Sequence, residues 1–78
     1  METKDRVIKT FSTVFNVDKG KLKLTDTMDE IESWDSIGQL QLIMHIEVEF
    51  GIKLNTEDVV QIDSVEKCID IVNKLILE

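Results

Sequence analysis

Residues 34–40 read WDSIGQL, a stretch that decides the fold because it ends a long polar segment and opens an apolar one. An aspartate followed by a serine at such a junction is typical of a helix start, since side-chain oxygens there accept hydrogen bonds from unpaired first-turn amides. Ser36 with Gln39 three residues later also fits a capping box. We therefore predict a helix that begins at about Ser36, with capping as the simplest role for that serine.

The helix that follows is predicted to run to about Phe50, with Gly51 closing it, and to be apolar on two faces. At about 100° per residue its apolar side chains fall into two stripes on nearly opposite sides. The first stripe consists of Leu42, Ile43, Ile46 and Phe50, and the second of Ile37, Leu40, Met44 and Val48. A chain of 78 residues has few elements to cover such a helix. We expect one stripe in the core and the other available for a different contact.

Apolar residues at helical spacing, no proline and three glycines predict an all-α chain. An amphipathic first helix is expected over residues 3–16, and a third helix of about two turns should follow Asn55. The last helix should begin at Asp63-Ser64, with Glu66 in capping-box position relative to Asp63. A long connection, residues 17–34, separates the first two helices. These elements predict a single domain, residues 1–78, with three longer helices around one core and a short third helix.

Sixteen acidic and nine basic residues give a formal charge of −7. That charge repels nucleic acid and anionic lipid and attracts basic surfaces. No apolar run approaches the roughly 20 residues of a membrane span, and the charged start does not resemble a secretion signal. From the sequence we expect a cytoplasmic monomer that neither binds nucleic acid nor inserts into a membrane.

The residue types that often carry chemistry are sparse. Cys68 is the only cysteine, which excludes an intrachain disulfide, and its place on an apolar stripe indicates a core side chain. His45 is the only histidine and is expected on the polar side of the second helix. The carboxylates of residues 26–35 do not have the spacing of an EF-hand loop. We therefore predict neither a metal site nor a catalytic set of acid, base and nucleophile.

Together with the apolar helix, the motif around Ser36 resembles the signature of the acyl carrier protein family. The matching residues are Asp35-Ser36-Ile37, followed by Leu40, Leu42, Ile43, Met44, Glu47, Glu49 and Phe50. The resemblance covers nearly the whole chain and implies a four-helix carrier-protein bundle. It also implies that Ser36 carries 4'-phosphopantetheine from coenzyme A, whose thiol holds acyl groups as thioesters. Asp35 would then cap the helix, and Ser36 would face solvent.

A carrier of this kind is not an enzyme, and the resemblance implies partners on which it depends. A phosphopantetheinyl transferase attaches the arm, and acyl-loading and acyl-transfer enzymes with basic docking surfaces use it in fatty-acid or polyketide-type biosynthesis. The expected partner contacts are Asp35, Ile37, Leu40, Met44, Glu47 and Val48. The second stripe could instead partly line a cavity that shelters an acyl chain. Trp34 should anchor the long connection on the second helix, or rest against the arm.

Several departures from the family pattern leave alternatives open. Fatty-acid carriers usually have acidic residues at the positions of Gly38, Gln41 and Val48, and Trp34 is also unusual. Trp-Asp-Ser looks more like stand-alone carriers of polyketide, nonribosomal-peptide or surface-polysaccharide pathways, so aminoacyl or peptidyl cargo is an alternative. A helical interaction module without a prosthetic group, in which Ser36 is only a cap, is an alternative of a different class.

Overall fold

The computed structural model describes residues 2–77, and the chain folds there into four α-helices around one core. The helices are α1 (Thr3–Phe15), α2 (Ser36–Phe50), α3 (Thr56–Gln61) and α4 (Val65–Leu77), with a single 3-10 turn at Lys19–Lys21. The predicted all-α fold with a short third helix is confirmed. Met1 and Glu78, which belong to the predicted domain, lie outside the described residues. Within residues 2–77, no helix combines the length and apolarity needed to cross a bilayer.

The helix boundaries follow from local capping chemistry. Asn16 adopts a left-handed backbone conformation, with φ of 54°, and ends α1 one residue earlier than predicted. Gly51 closes α2 in the same way, with φ of 64°, a conformation that costs glycine little. At the start of α3, Asn55 Oδ1 accepts from the amide of Asp58 at 2.8 Å, and Asp58 Oδ2 accepts from the amide of Asn55 at 3.3 Å. This reciprocal pair is a capping box.

The start of α4 differs from the prediction. Ser64 Oγ accepts a hydrogen bond from the amide of Lys67 at 3.2 Å, so Ser64 is the cap. The amide of Glu66 donates instead to the carbonyl of Leu24 at 2.9 Å. The predicted start at Asp63-Ser64 therefore contains the observed cap, whereas the predicted capping box between Asp63 and Glu66 is wrong.

The long connection before α2 is held against α4 by its backbone. The carbonyls of Leu24 and Asp26 accept the first amides of α4, and Asp26 bonds to the Val65 amide at 3.0 Å. Ile31 is buried, while Leu24 and Met28 stay 38% and 40% exposed. These bonds satisfy helix-end donors that would otherwise lack partners. Residues 17–34 are therefore held against the helices by two backbone hydrogen bonds to α4 and by the buried side chain of Ile31.

Three aromatic rings form the centre of the core. Trp34 is 1% exposed and meets Phe11 edge-on, with ring centroids 5.1 Å apart, while Phe15 stacks on it at 5.7 Å. Such pairs add about 0.5–1.5 kcal/mol each beyond the area that they bury. The prediction that Trp34 anchors the connection on the helices is confirmed. The first stripe of α2 faces the same core, with Leu42, Ile43 and Ile46 buried and Phe50 half-buried.

The first turn of α2 packs directly against the backbone at the end of the connection. A β-carbon at Gly38 would lie 2.4 Å from the carbonyl oxygen of Ser33 and 2.9 Å from Phe15 Cε1. Only glycine fits this position without a shift of the backbone. The close approach fixes where Ser36, two residues earlier, emerges from the fold.

We expect Gly38→Ala to lower the free energy of unfolding by about 1–3 kcal/mol, because the backbone at Ser33 must shift to make room for the added methyl group. This loss should exceed the ~1 kcal/mol that alanine gains in helix propensity. Urea denaturation monitored by circular dichroism measures the change. Gly20→Ala is the control, since the nearest atom to its β-carbon, Asp18 Oδ1, is 3.4 Å away. Equal midpoints for Gly38→Ala and the wild type would contradict the packing argument.

Burial of Cys68 predicts an unreactive thiol. The side chain is fully buried, and desolvation raises the pKa of Cys68 from 9.0 to about 12. The raised pKa means that the folded state disfavours the thiolate. The free energy of unfolding is therefore unaffected by ionisation of Cys68 below about pH 9, and it falls as the pH rises from there toward 12. At pH 8 we expect Ellman's reagent to modify Cys68 rapidly in urea and only slowly in the native protein. Equal rates in both states would show that the thiol is accessible.

Candidate functional site

Ser36 is the first residue of α2 and its side chain lies at the surface. The cap is Asp35, whose Oδ1 accepts a hydrogen bond from the amide of Gly38 at 2.8 Å. The capping role predicted for Ser36 with Gln39 is therefore wrong, and the role given to Asp35 by the family resemblance is correct. With the cap supplied by its neighbour, the Ser36 hydroxyl is left at the positive end of the helix. That location favours a phosphate ester, since first-turn amides and the helix dipole stabilise negative charge.

Gln39 joins α2 to α3 and to the connection. Its Nε2 donates to the carbonyls of Val59 and Ile62 at 3.0 and 3.2 Å, and its Oε1 accepts from Trp34 Nε1 at 2.6 Å. Only one orientation of the amide satisfies these partners, because the indole can only donate and carbonyls can only accept. We call Gln39, Trp34 and the two carbonyls the amide bridge. The sequence analysis missed this role, because residue types alone do not distinguish Gln39 from the exposed Gln41 two positions later.

The second stripe of α2 is the main exposed apolar surface beside Ser36. Its members are Ile37 at 69% exposure, Leu40 at 63%, Met44 at 65% and Val48 at 86%. Side chains this open do not line an interior cavity, so the shelter alternative for the stripe is wrong for this structure. The stripe faces outward along α2 from the position of Ser36. Its placement agrees with the predicted surface for partner contacts.

Two acidic groups near the stripe have partners within the chain. Glu47 Oε2 accepts from the amide of Leu54 at 2.9 Å and so holds the connection between α2 and α3. Glu49 pairs with Arg6 at 2.9 Å, and the guanidinium of Arg6 lies 4.4 Å from the centroid of the Phe50 ring. The predicted docking residue Glu47 therefore has an internal structural role that the sequence pattern did not show. Asp35 likewise uses one carboxylate oxygen for its own helix.

The remaining candidate residues do not converge on one place. His45 is exposed in a shallow groove of about 130 Å³ that is lined by Lys9, Thr10, Thr13, His45 and Glu49. Glu30 is also exposed, and hydrogen bonds from the Thr27 hydroxyl and amide lower the pKa of its carboxyl group. Within residues 2–77, no three histidine, cysteine, aspartate or glutamate side chains are arranged to hold a metal ion. The exposed Ser36 hydroxyl therefore remains the candidate group for chemistry at this surface.

Comparison with known proteins gives the family of the chain. The family described as "Phosphopantetheine attachment site" matches residues 5–72. An acyl carrier protein of Buchnera aphidicola subsp. Schizaphis graminum is 32% identical over 68 residues, which cover 87% of this chain and 86% of that protein. An acyl carrier protein of Chlorobium phaeovibrioides is 30% identical over 73 residues, 94% of each chain.

A solved structure agrees with this result. The holo acyl carrier protein of Geobacter metallireducens, determined by NMR in solution, superposes with a TM-score of 0.85 at 28% identity. The match covers 99% of this chain and 88% of that one. With the family match and the relatives, it shows that the chain belongs to the acyl carrier protein family, whose members carry a phosphopantetheine attachment site and act as carriers, not catalysts.

Proposed function

We propose that Ser36 is the residue to which phosphopantetheine is attached. The observation that carries this proposal is that the Ser36 hydroxyl is exposed at the start of α2 while Asp35 caps the helix. In most helices a serine at this junction would itself be the cap and would be occupied. Here the hydroxyl is available to a reagent, and the first-turn amides can stabilise the phosphodiester that results.

Attachment would proceed by attack of Ser36 Oγ on the β-phosphate of coenzyme A. The bond between the two phosphates breaks, and adenosine 3',5'-bisphosphate leaves. The hydroxyl proton would pass to a base of the transferase, since the Asp35 carboxylate is bound to the Gly38 amide. Once attached, the arm supplies a thiol that holds an acyl group as a thioester. The chain itself positions the arm and presents the surface that partners recognise.

The second stripe and the acidic charge provide the docking surface in this proposal. Ile37, Leu40 and Met44 extend along α2 from Ser36, and the chain has a formal charge of −7. Enzymes with basic patches would be steered to this surface, and charge would govern the rate of encounter more than the final affinity. A stripe of single side chains offers a small contact, which suits a carrier that must bind many times and leave quickly.

The proposed setting is a cytoplasmic single-domain monomer, residues 1–78, that serves a phosphopantetheinyl transferase and acyl-handling enzymes of fatty-acid or polyketide-type biosynthesis. Nucleic acid and membranes are not partners in this proposal. An aminoacyl or peptidyl carrier is the second candidate. It is favoured by Gly38, Gln41 and Val48, which leave the start and the middle of α2 less acidic than in fatty-acid carriers.

The attachment proposal predicts which serine gains mass. With coenzyme A, magnesium and a broad-specificity transferase, the wild type should gain one phosphopantetheine by intact-mass spectrometry, and Ser36→Ala should gain none. Ser33→Ala is the matched control, because Ser33 lies three residues away and its hydroxyl donates to the Phe15 carbonyl at 3.3 Å. It should be modified like the wild type. An unmodified wild type, with a control carrier modified, would favour the interaction module instead.

The docking proposal predicts a loss of transferase efficiency when the stripe is shortened. Leu40→Ala and Met44→Ala should each lower kcat/KM by about fivefold to tenfold, since each removes an apolar anchor worth roughly 1 kcal/mol or more. Both side chains are exposed, so thermal stability should change little. Leu77→Ala, which is 83% exposed at the end of α4, is the control and should leave kcat/KM unchanged. Equal efficiencies for all variants would place the docking surface elsewhere.

A further inference from the structure

A long aliphatic chain on the arm would be exposed to water unless the carrier shelters it, because apolar surface in water is unfavourable. For a chain that folds back toward Ser36, the nearest way into the bundle lies beside the first turn of α2. Ile37 and Leu40 point from this turn into solvent, at 69% and 63% exposure. Gly38 and Gln39 are the residues of this turn that face the interior. The contacts of these two residues therefore decide whether an entrance exists.

The side of Gly38 is closed by backbone contact. A single β-carbon there would already lie 2.4 Å from the Ser33 carbonyl oxygen and 2.9 Å from Phe15 Cε1. Space that does not admit one methyl group does not admit a hydrocarbon chain. This side could open only if the connection that ends at Trp34 moved away from α2.

The side of Gln39 is closed by the amide bridge. Gln39 spans the gap between α2 and the end of α3 and also holds the indole N–H of Trp34. Trp34 and Ile62 are each 1% exposed, so moving Gln39 aside would leave a buried donor and a buried acceptor without partners. Unpaired groups of this kind are strongly disfavoured in protein interiors. The amide bridge therefore closes this side of the turn, and opening it would cost the free energy of leaving these groups unpaired.

The interior behind the bridge is filled. Its side chains, all 1% exposed or less, are Phe11, Trp34, Leu42, Ile46, Ile62 and Val65. Four grooves on the surface have volumes of about 130, 320, 270 and 490 Å³. None of these four is lined by Leu42, Ile46 or Ile62. A chain that passed the bridge would also have to displace some of these side chains, so packing adds to the cost that the bridge imposes.

We propose that this carrier keeps its cargo outside the helical bundle, that the cargo is therefore a short or polar acyl group, and that Gln39 is the residue that enforces the exclusion. The inference rests on the proposed attachment at Ser36. A group of a few carbons, or one bearing hydroxyl, keto or amino substituents, loses little by remaining in water. A long saturated chain would gain from burial that this bundle does not offer. Gln39 is a positioning residue here and contacts no reacting atom.

The test compares cargo lengths on the intact protein. Acetyl-, hexanoyl- and decanoyl-coenzyme A are loaded with a broad-specificity transferase, loading is verified by intact mass, and thioester cleavage by hydroxylamine is timed. Each rate is divided by the rate for the same acyl-coenzyme A free in solution. A chain sheltered nine-tenths of the time would react about tenfold more slowly, because the rate follows the open population. The indole N–H resonance of Trp34, the only tryptophan, reports in parallel on entry into the core.

For the wild type we expect normalised rates that agree within about twofold for all three lengths, since an excluded chain leaves every thioester equally open. The Trp34 resonance should also be the same for acetyl and decanoyl cargo. Tenfold protection of decanoyl cargo together with a shifted Trp34 resonance would overturn the proposal. Failure to load any acyl group would show in the mass spectrum, and it would refute attachment at Ser36 and this inference with it.

Gln39→Ala tests the amide bridge itself. The variant should slow cleavage of decanoyl but not acetyl cargo, and its Trp34 resonance should depend on chain length. Gln61→Ala is the matched control, because it removes the same side chain from an exposed position at the end of α3. It should behave like the wild type. A folded Gln39→Ala protein without any length dependence would overturn the role of Gln39. Should that variant not fold, the wild-type series alone decides whether cargo stays outside.

Discussion

A buried indole N–H must find an acceptor, and the rest of this small fold depends on how that requirement is met. Trp34 fills the centre of the core against Phe11 and Phe15 and is 1% exposed. Its N–H is satisfied by Gln39, which then uses both of its own donors on the carbonyls at the end of α3. One side chain thus ties the connection, α2 and α3 together. Within the described residues, each fully buried side-chain nitrogen or oxygen has a hydrogen-bond partner.

In the proposed function, one face of helix α2 stabilises the fold, and the opposite face and the helix start serve the carrier role. Leu42, Ile43 and Ile46 are buried and supply stability, whereas the opposite stripe remains in solvent and contributes little to it. At its start, the capping duty falls on Asp35 and leaves the Ser36 hydroxyl exposed. An attachment residue could hardly serve as a cap, because the oxygen that caps is not available to a transferase. The cap one residue earlier resolves this conflict.

The ordered connection matters because an attachment site on a long flexible loop would add its own motion to that of the arm. Here the carbonyls of Leu24 and Asp26 cap α4, and the Gly38 backbone approaches Ser33 closely. Ser36, the proposed base of the arm, is therefore held by packed elements of the fold. A flexible tether on a fixed base gives its thiol an effective concentration on the order of millimolar at an active site within reach. In the proposed function, the arm supplies the mobility and the surface of α2 supplies the recognition.

The sequence by itself determined the helix order, most helix ends, the motif around Ser36 and the existence of two apolar stripes. These features repeat every few residues or depend on a local cap, so a linear pattern is enough to read them. The tertiary structure alone decided which stripe of α2 is buried, that Ser64 caps α4, that Glu47 binds the Leu54 amide, and that Gln39 bridges α2 and α3. The buried stripe and the amide bridge depend on contacts between residues that are distant in sequence. The Ser64 cap and the Glu47–Leu54 hydrogen bond depend on which nearby oxygen the folded backbone brings to an amide. A pattern of residue types does not fix where these atoms lie relative to one another in space.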